Sequence, residues 1–396
     1  MSTTTYGSLP APGAAATTAG TRAPTRAGAE PRPVPPLGGT RVDSLTGLRW
    51  FAALGVFLFH TKRYVSESAA LTQLSWIGYE GVPFFFVLSG FVMAWVARPD
   101  DTATGYYWRR FARIWPLLAV TTAGVVALRV WWWHQPVSAA DVLWTLTFAQ
   151  SWSSEHFFTL NVVTWTLSVE AFFYLAFPLL HKVLSRCPSR LLAVVAVLSV
   201  AATAATRILG PRYGFAPDVE RLVVASPLSL TPMFVLGVCT AMLVRRGRRP
   251  PFGSGVALTL TAGTVLLCWL WFRHPDAVPY VEVRTGTFDA VLMPAFALLI
   301  ATVALRDVRG ERSLLRSRPL VRLGEWSFAF YICHVIVLKV FEHLGTAPGP
   351  GLGRDLVQIA VVAVGTVAVA GCLHEWVEKP AERRLRPLLG ARRATA

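Results

Sequence analysis

Charge is scarce in this 396-residue sequence: Asp, Glu, Lys and Arg make up 15% of it, against 54% hydrophobic residues. Soluble domains carry about a quarter charged residues, so a water-facing globule is excluded and a chain folded in a bilayer is implied. Cysteine is scarce too. Cys187, Cys239, Cys268, Cys333 and Cys372 are scattered without CxxC spacing, which supports neither a disulfide framework nor a zinc site and leaves plain buried thiols with no metal. Acidic residues are outnumbered, 22 to 38 basic, for a formal net charge of +16. In a polytopic chain that excess belongs to loops facing the cytoplasm, so no nucleic-acid partner is expected. Residues 1–40 lack any apolar run of seven or more, hence any signal-peptide core, and their Ala, Thr, Gly, Pro and Arg read as a disordered cytoplasmic tail.

What the sequence does have is long apolar segments, near 44–61, 76–97, 111–133, 160–181, 190–206, 223–244, 253–272, 286–305, 323–343 and 355–376. Each approaches the roughly 20 residues that cross a hydrocarbon layer about 30 Å thick. The expected fold is therefore all-α, a polytopic membrane protein of about ten transmembrane helices. Basic residues test the count. They gather in alternate connections, around Arg98–Arg113, Lys182–Arg190, Arg245–Arg249, 306–322 and 379–393, whereas 134–160 holds no Lys or Arg. That alternation places both termini in the cytoplasm of a multi-pass protein of the plasma membrane. The stretch 138–150 reads as a re-entrant or interfacial piece. Residues 41–386 form one membrane domain and 387–396 a basic C-terminal tail.

Two ionisable residues bracket the first span, Arg49 and His60, with ten nearly all apolar residues between them. Eleven steps of about 100° return His60 to within about 20° of Arg49, about 16 Å further along the helix. One face carries both, and neither is favourable against lipid, so both are expected to line a protected interior path. Snorkelling of Arg49 to one interface, with His60 merely ending the helix at the other, is the alternative.

The fourth span contains Trp165-Thr-Leu-Ser-Val-Glu170-Ala-Phe-Phe-Tyr174, in which Thr166 and Tyr174 lie one turn either side of Glu170 on its own face and Trp165 points elsewhere. Glu170 can orient His60 for general-base work, or it can form a buried ion pair with Arg49 and tie two helices together. Ser89-Gly90 in the second span marks either close packing or a nucleophilic serine, and no G-x-S-x-G elbow surrounds it. Trp108-Arg-Arg-Phe-Ala-Arg113-Ile-Trp-Pro116 offers Arg110 and Arg113 at i, i+3, suited to a phosphate at a wet surface or to ordinary anchoring on the inner side, with Pro116 in the helix's first turn. His334 reads either as a second pocket histidine or as a packing hydrogen bond. The remaining six histidines read as interfacial.

Taken in order, Ser44-Leu-Thr-Gly-Leu-Arg49 with His60 eleven residues on, Phe84-Phe-Phe-Val-Leu-Ser-Gly-Phe91, Arg109–Pro116 and Trp165–Tyr174 resemble the signature motifs of the acyltransferase-3 family, with weaker matches at Ser327–His334 and Val377-Glu378-Lys-Pro380. The resemblance spans about 41–382. It implies a membrane O-acyltransferase that moves an acyl group from acyl-CoA, a co-substrate and not a cofactor, to a hydroxyl of a cell-envelope glycan or of a glycosylated small molecule such as a macrolide. It also implies that His60 and Arg49 are the essential pair and that Arg110 and Arg113 bind the donor. His60 and Glu170 are then expected as catalytic residues, and Arg49, Arg110, Arg113, Ser89, Tyr174 and His334 as substrate-binding ones. Relatives with a soluble esterase-like half are expected to differ from this chain, which would act through its membrane unit alone. A transporter or flippase, and a helical assembly partner without turnover, are the readings from other classes.

Overall fold

A backbone surrounded by lipid must satisfy its own N–H and C=O groups, and helices do this segment by segment. The structure, a computed structural model, describes residues 41–64, 72, 75–98, 101–209, 213, 215–274, 288–345 and 352–385. The tails expected at 1–40 and 387–396 lie outside the described residues. The helices are α1 (Asp43–His60), α2 (Gly81–Val96), α3 (Ala103–Ala127), α4 (Ala139–Leu146), α5 (Trp165–Arg186), α6 (Ser189–Leu209), α7 (Pro217–Ala225), α8 (Pro227–Arg245), α9 (Ser254–Arg273), α10 (Asp289–Val308), α11 (Arg318–His343), α12 (Leu352–Leu373) and α13 (Lys379–Leu385). No strand occurs among the described residues. Nine of the described helical stretches are long and apolar enough to cross a membrane; α1, whose 18 residues include Asp43 and Arg49, is not among the nine and packs lengthwise against α11. The chain is an all-α, multi-pass membrane protein.

The outward faces confirm the medium. Leu179, Val197, Leu267 and Val364 are about two-thirds exposed on the long helices, a distribution that water would not tolerate over so large a surface. Lipid supplies no hydrophobic drive to bring helices together, so contact depends on close packing. The α2–α8 crossing shows how close. A Cβ added at Gly90 would lie 2.0 Å from the Phe234 carbonyl oxygen, and one added at Gly237 would lie 2.0 Å from that of Val87. Gly90 thus marks packing, and the serine beside it is left to face a cavity.

The basic connections meet at one end. Asp307 accepts from the Ser44 N–H at 2.7 Å and from its hydroxyl, capping α1 from the last turn of α10. Trp108 donates to the Leu385 carbonyl, and Arg246 to the carbonyls of Ser185 and Cys187. At the opposite end Arg221 reaches the Ser154 carbonyl and Arg207 that of Val224. The connections that alternate in charge along the sequence are therefore sorted to opposite ends in space.

Two boundaries differ from expectation. The third long helix starts at Ala103, where the Thr102 hydroxyl accepts from the Gly105 N–H, so Pro116 stands in the helix interior and not in its first turn. The cap lies in polar sequence that an apolar-run criterion passes over. The fourth begins at Trp165, after irregular chain from 147 to 164 broken only by a short turn at Gln150–Trp152. This segment buries Gln150, Ser151, Asn161 and Thr164 against protein, with Asn161 donating to the Ile332 carbonyl at 2.7 Å. Non-helical backbone at depth is tolerated where protein covers it.

Candidate active site

Six of the polar residues singled out in the sequence converge. Arg49 from α1, Ser89 from α2, Arg110 and Arg113 from α3, and Glu170 and Tyr174 from α5 line one cavity of about 140 Å³, lying towards the end that carries the basic connections. The Tyr174 hydroxyl donates to Glu170 Oε1, and Ser89 Oγ donates to the same oxygen at 3.3 Å. Arg110 lies over the ring faces of Tyr106 and Tyr174, 5.6 and 5.5 Å from their centroids, and its buried Nε has no partner. Among the described residues Glu170 forms no ion pair with Arg49, and neither Arg49 nor Arg113 has a hydrogen-bonding partner. Their donors open into the cavity. Arg109 turns away to pair with Asp101 at 2.7 Å.

Glu378, not singled out from the sequence as a site residue, acts electrostatically on both Arg49 and Arg113. It is buried at the end of a π-helical turn, His374–Glu378, where His374 Nδ1–H donates to it at 3.0 Å. Such turns recur at functional positions. The closing Val377-Glu378-Lys-Pro380 motif was the signal that could have found it. Three guanidiniums thus stand against two carboxylates, leaving a cationic chamber.

His60 is not in this chamber. It lines a second, larger cavity of about 590 Å³ together with Phe59, Lys62, Phe157, Trp165 and Arg207. The expected His60–Glu170 pair is therefore not formed. The physical reason is depth: a shared helix face aligns Arg49 and His60 in azimuth, while the rise of about 16 Å between them carries His60 towards the other end. His334 lines neither cavity. It is fully buried behind His60, ring centroids 5.1 Å apart, with Nδ1–H donating to the Tyr331 carbonyl at 2.6 Å. Its Nε2 is buried without a hydrogen-bonding partner. Of the two readings for His334, the packing hydrogen bond is what the structure shows.

The larger chamber holds a cluster that sequence reading passed over. Arg207, on its wall, donates to Asp289 and to the Val224 carbonyl, with Glu80 beside them. All three are buried. Arg207, Asp289 and Glu80 lie on different elements with no local spacing to link them, so only the fold brings them together. Among the described residues no three His, Cys, Asp or Glu side chains gather as they would around a metal.

A family model described as an acyltransferase domain matches residues 42–375, which include both chambers. The chain belongs to the acyltransferase-3 family. Among curated relatives, acyltransferase MdmB of Streptomyces mycarofaciens is 35% identical over 393 residues, covering 90% of this chain and 94% of the relative. Exopolysaccharide production protein ExoZ of Rhizobium meliloti is 30% identical over 328 residues, 81% of this chain and 93% of the relative. Peptidoglycan O-acetyltransferase OatA of Listeria monocytogenes is 22% identical over 371 residues; the match covers 86% of this chain and 55% of that longer protein. No solved structure matches the chain. Acyltransferase-3 membership decides for a membrane acyltransferase over a solute transporter.

Proposed function

We propose that this acyltransferase uses acyl-CoA as its donor and a sugar-borne hydroxyl as its acceptor, and that the two substrates occupy different chambers. The observation that carries the reading is the set of Arg49, Arg110 and Arg113 around one cavity, with guanidinium donors open to it and a surplus of positive charge. CoA phosphates are anionic acceptors of the kind that guanidiniums grip, and the basic connections at this end support a cytoplasmic orientation for the chamber, the side where the donor is found. The larger chamber, walled by Phe59, Phe157, Phe158, Trp165 and Tyr79, offers broad apolar faces with polar groups between them, as a glycosylated acceptor requires. The relative OatA is a peptidoglycan O-acetyltransferase and ExoZ an exopolysaccharide production protein, which supports a sugar-borne acceptor.

In the reaction the acceptor oxygen attacks the thioester carbonyl, a C–O bond forms and the C–S bond breaks. His60 takes the hydroxyl proton as the oxygen attacks, and the proton ends on the departing thiolate, so that ester and free thiol are the products. Arg49, about 16 Å of helical rise away from His60, guides the anionic part of the donor. Glu170 does not orient the imidazole. It holds the Ser89 and Tyr174 hydroxyls and offsets part of the arginine charge. The same orientation is compatible with location in the plasma membrane.

The test is consumption of labelled acetyl-CoA by membranes bearing the chain, with a glycosylated acceptor supplied. Label in the acceptor supports the reading; a chain that never releases CoA from the thioester in the presence of any such acceptor overturns it.

A further inference from the structure

The two chambers meet at Tyr331. Its side chain and that of Val82 line both cavities, so these residues form the wall between them. The Tyr331 hydroxyl lies 2.9 Å from Thr166 Oγ1. Thr166 has one hydroxyl proton, and gives it to the Val163 carbonyl at 2.9 Å, so in the Tyr331–Thr166 bond the tyrosine is the donor. The bond ties α11 to the first turn of α5, one turn before Glu170, and both residues are more than nine-tenths buried. Phe85 of α2 meets the Tyr331 ring edge-on, centroids 6.0 Å apart, and supports it from the donor side.

We propose that Tyr331, latched to Thr166, is the specificity-determining partition of this enzyme: it ends the donor chamber, limits the acyl group to a short chain, and keeps water of the larger chamber off the thioester until an acceptor seated there moves the ring aside and brings its hydroxyl to the carbonyl. The proposal rests on the donor and acceptor assignment above. Size supports it. The donor chamber's 140 Å³ is close to the roughly 150 Å³ engineered cavity that holds benzene, so it admits an acyl group of about two to four carbons before the tyrosine ring and not CoA itself, whose phosphates meet the arginines from the cytoplasmic side. Chemistry supplies the need. With the wall open, a water oxygen can attack the carbonyl in place of the acceptor; a C–O bond forms, the C–S bond breaks, and carboxylate, thiol and one proton are released without transfer.

The experiment uses the full chain in lipid nanodiscs and follows CoA release by chromatography from acetyl-, butyryl- and octanoyl-CoA with no acceptor present. Tyr331→Phe and Thr166→Val each remove the latch while keeping the side chain's volume, and each is expected to raise acceptor-free CoA release from acetyl-CoA about fivefold, the fold-change of one ordinary hydrogen bond. The double variant is expected to do no more than either single one, because both delete the same bond. Tyr331→Ala removes the wall and is expected to raise use of octanoyl-CoA relative to acetyl-CoA at least tenfold. Folded, monodisperse variants with wild-type hydrolysis and wild-type chain preference overturn the partition. Failure of the wild-type protein to bind any of the three thioesters in a calorimeter overturns the donor assignment itself, so the two failures are told apart.

Discussion

Arg49 and His60 share one face of one helix and line different chambers. The first opens among arginines at the end with the basic connections, the second among aromatic rings at the other. In the proposed reading a single helix carries an anion-binding group to one substrate and a proton acceptor to the other. About 16 Å of helical rise separates them.

The arginine chamber predicts a donor-specific defect. Arg110→Ala and Arg113→Ala each remove one charge-assisted contact, and each should lower kcat/KM for acyl-CoA by about 10- to 100-fold, chiefly through KM. Donor titrations at two salt concentrations check this, and the wild-type affinity should weaken as salt rises. An unchanged donor KM would leave these residues as anchors of the inner face only.

Ser89 should prove dispensable as a nucleophile. Its hydroxyl donates to Glu170, whose same oxygen is shared with the Tyr174 hydroxyl, and no G-x-S-x-G elbow surrounds it. Ser89→Ala is expected to reduce turnover by about tenfold, the effect of one hydrogen bond to a charged group. Loss on the order of 10⁶, with no acyl-enzyme recovered by mass spectrometry, would mark Ser89 as the group attacked.

The motifs that lie within a helical turn or two were legible in the sequence, and those that depend on depth or on long-range contact were not. The face shared by Thr166, Glu170 and Tyr174 follows from the 3.6-residue repeat, and all three do line one cavity. The same repeat says which way Arg49 and His60 point and nothing of which cavity each enters. Ser89-Gly90 reads as either close packing or a nucleophilic serine; the glycine meets α8, and the serine meets Glu170. Glu80, Arg207 and Asp289 escaped because no local pattern joins residues so far apart in the chain.

That cluster carries a stability prediction. Arg207→Ala leaves Asp289 and Glu80 buried without their cation, which should destabilise the protein by about 3–5 kcal/mol. Thermal unfolding in detergent should show the loss, and Asp289→Asn in the same chain should recover part of it. A melting temperature equal to the wild type would mean that the cluster contributes nothing to the fold.

Packing at the α2–α8 crossing gives a second. Gly237→Ala forces a methyl group to 2.0 Å from the Val87 carbonyl and should destabilise by about 1–3 kcal/mol. Gly263, in α9, has nothing within 4 Å of an added Cβ. Gly263→Ala should therefore leave stability unchanged or raise it by up to about 1 kcal/mol. The paired melting curves separate close approach from a general intolerance of glycine replacement.

The most direct measurement compares donor binding with turnover in His60→Ala. If the imidazole acts from the acceptor chamber while the arginines hold the donor in the other, calorimetry should give a Kd for acetyl-CoA within about twofold of the wild type, whereas transfer should fall by 10²- to 10⁴-fold. Transfer at the wild-type rate, or donor binding that weakens in step with turnover, would contradict the account.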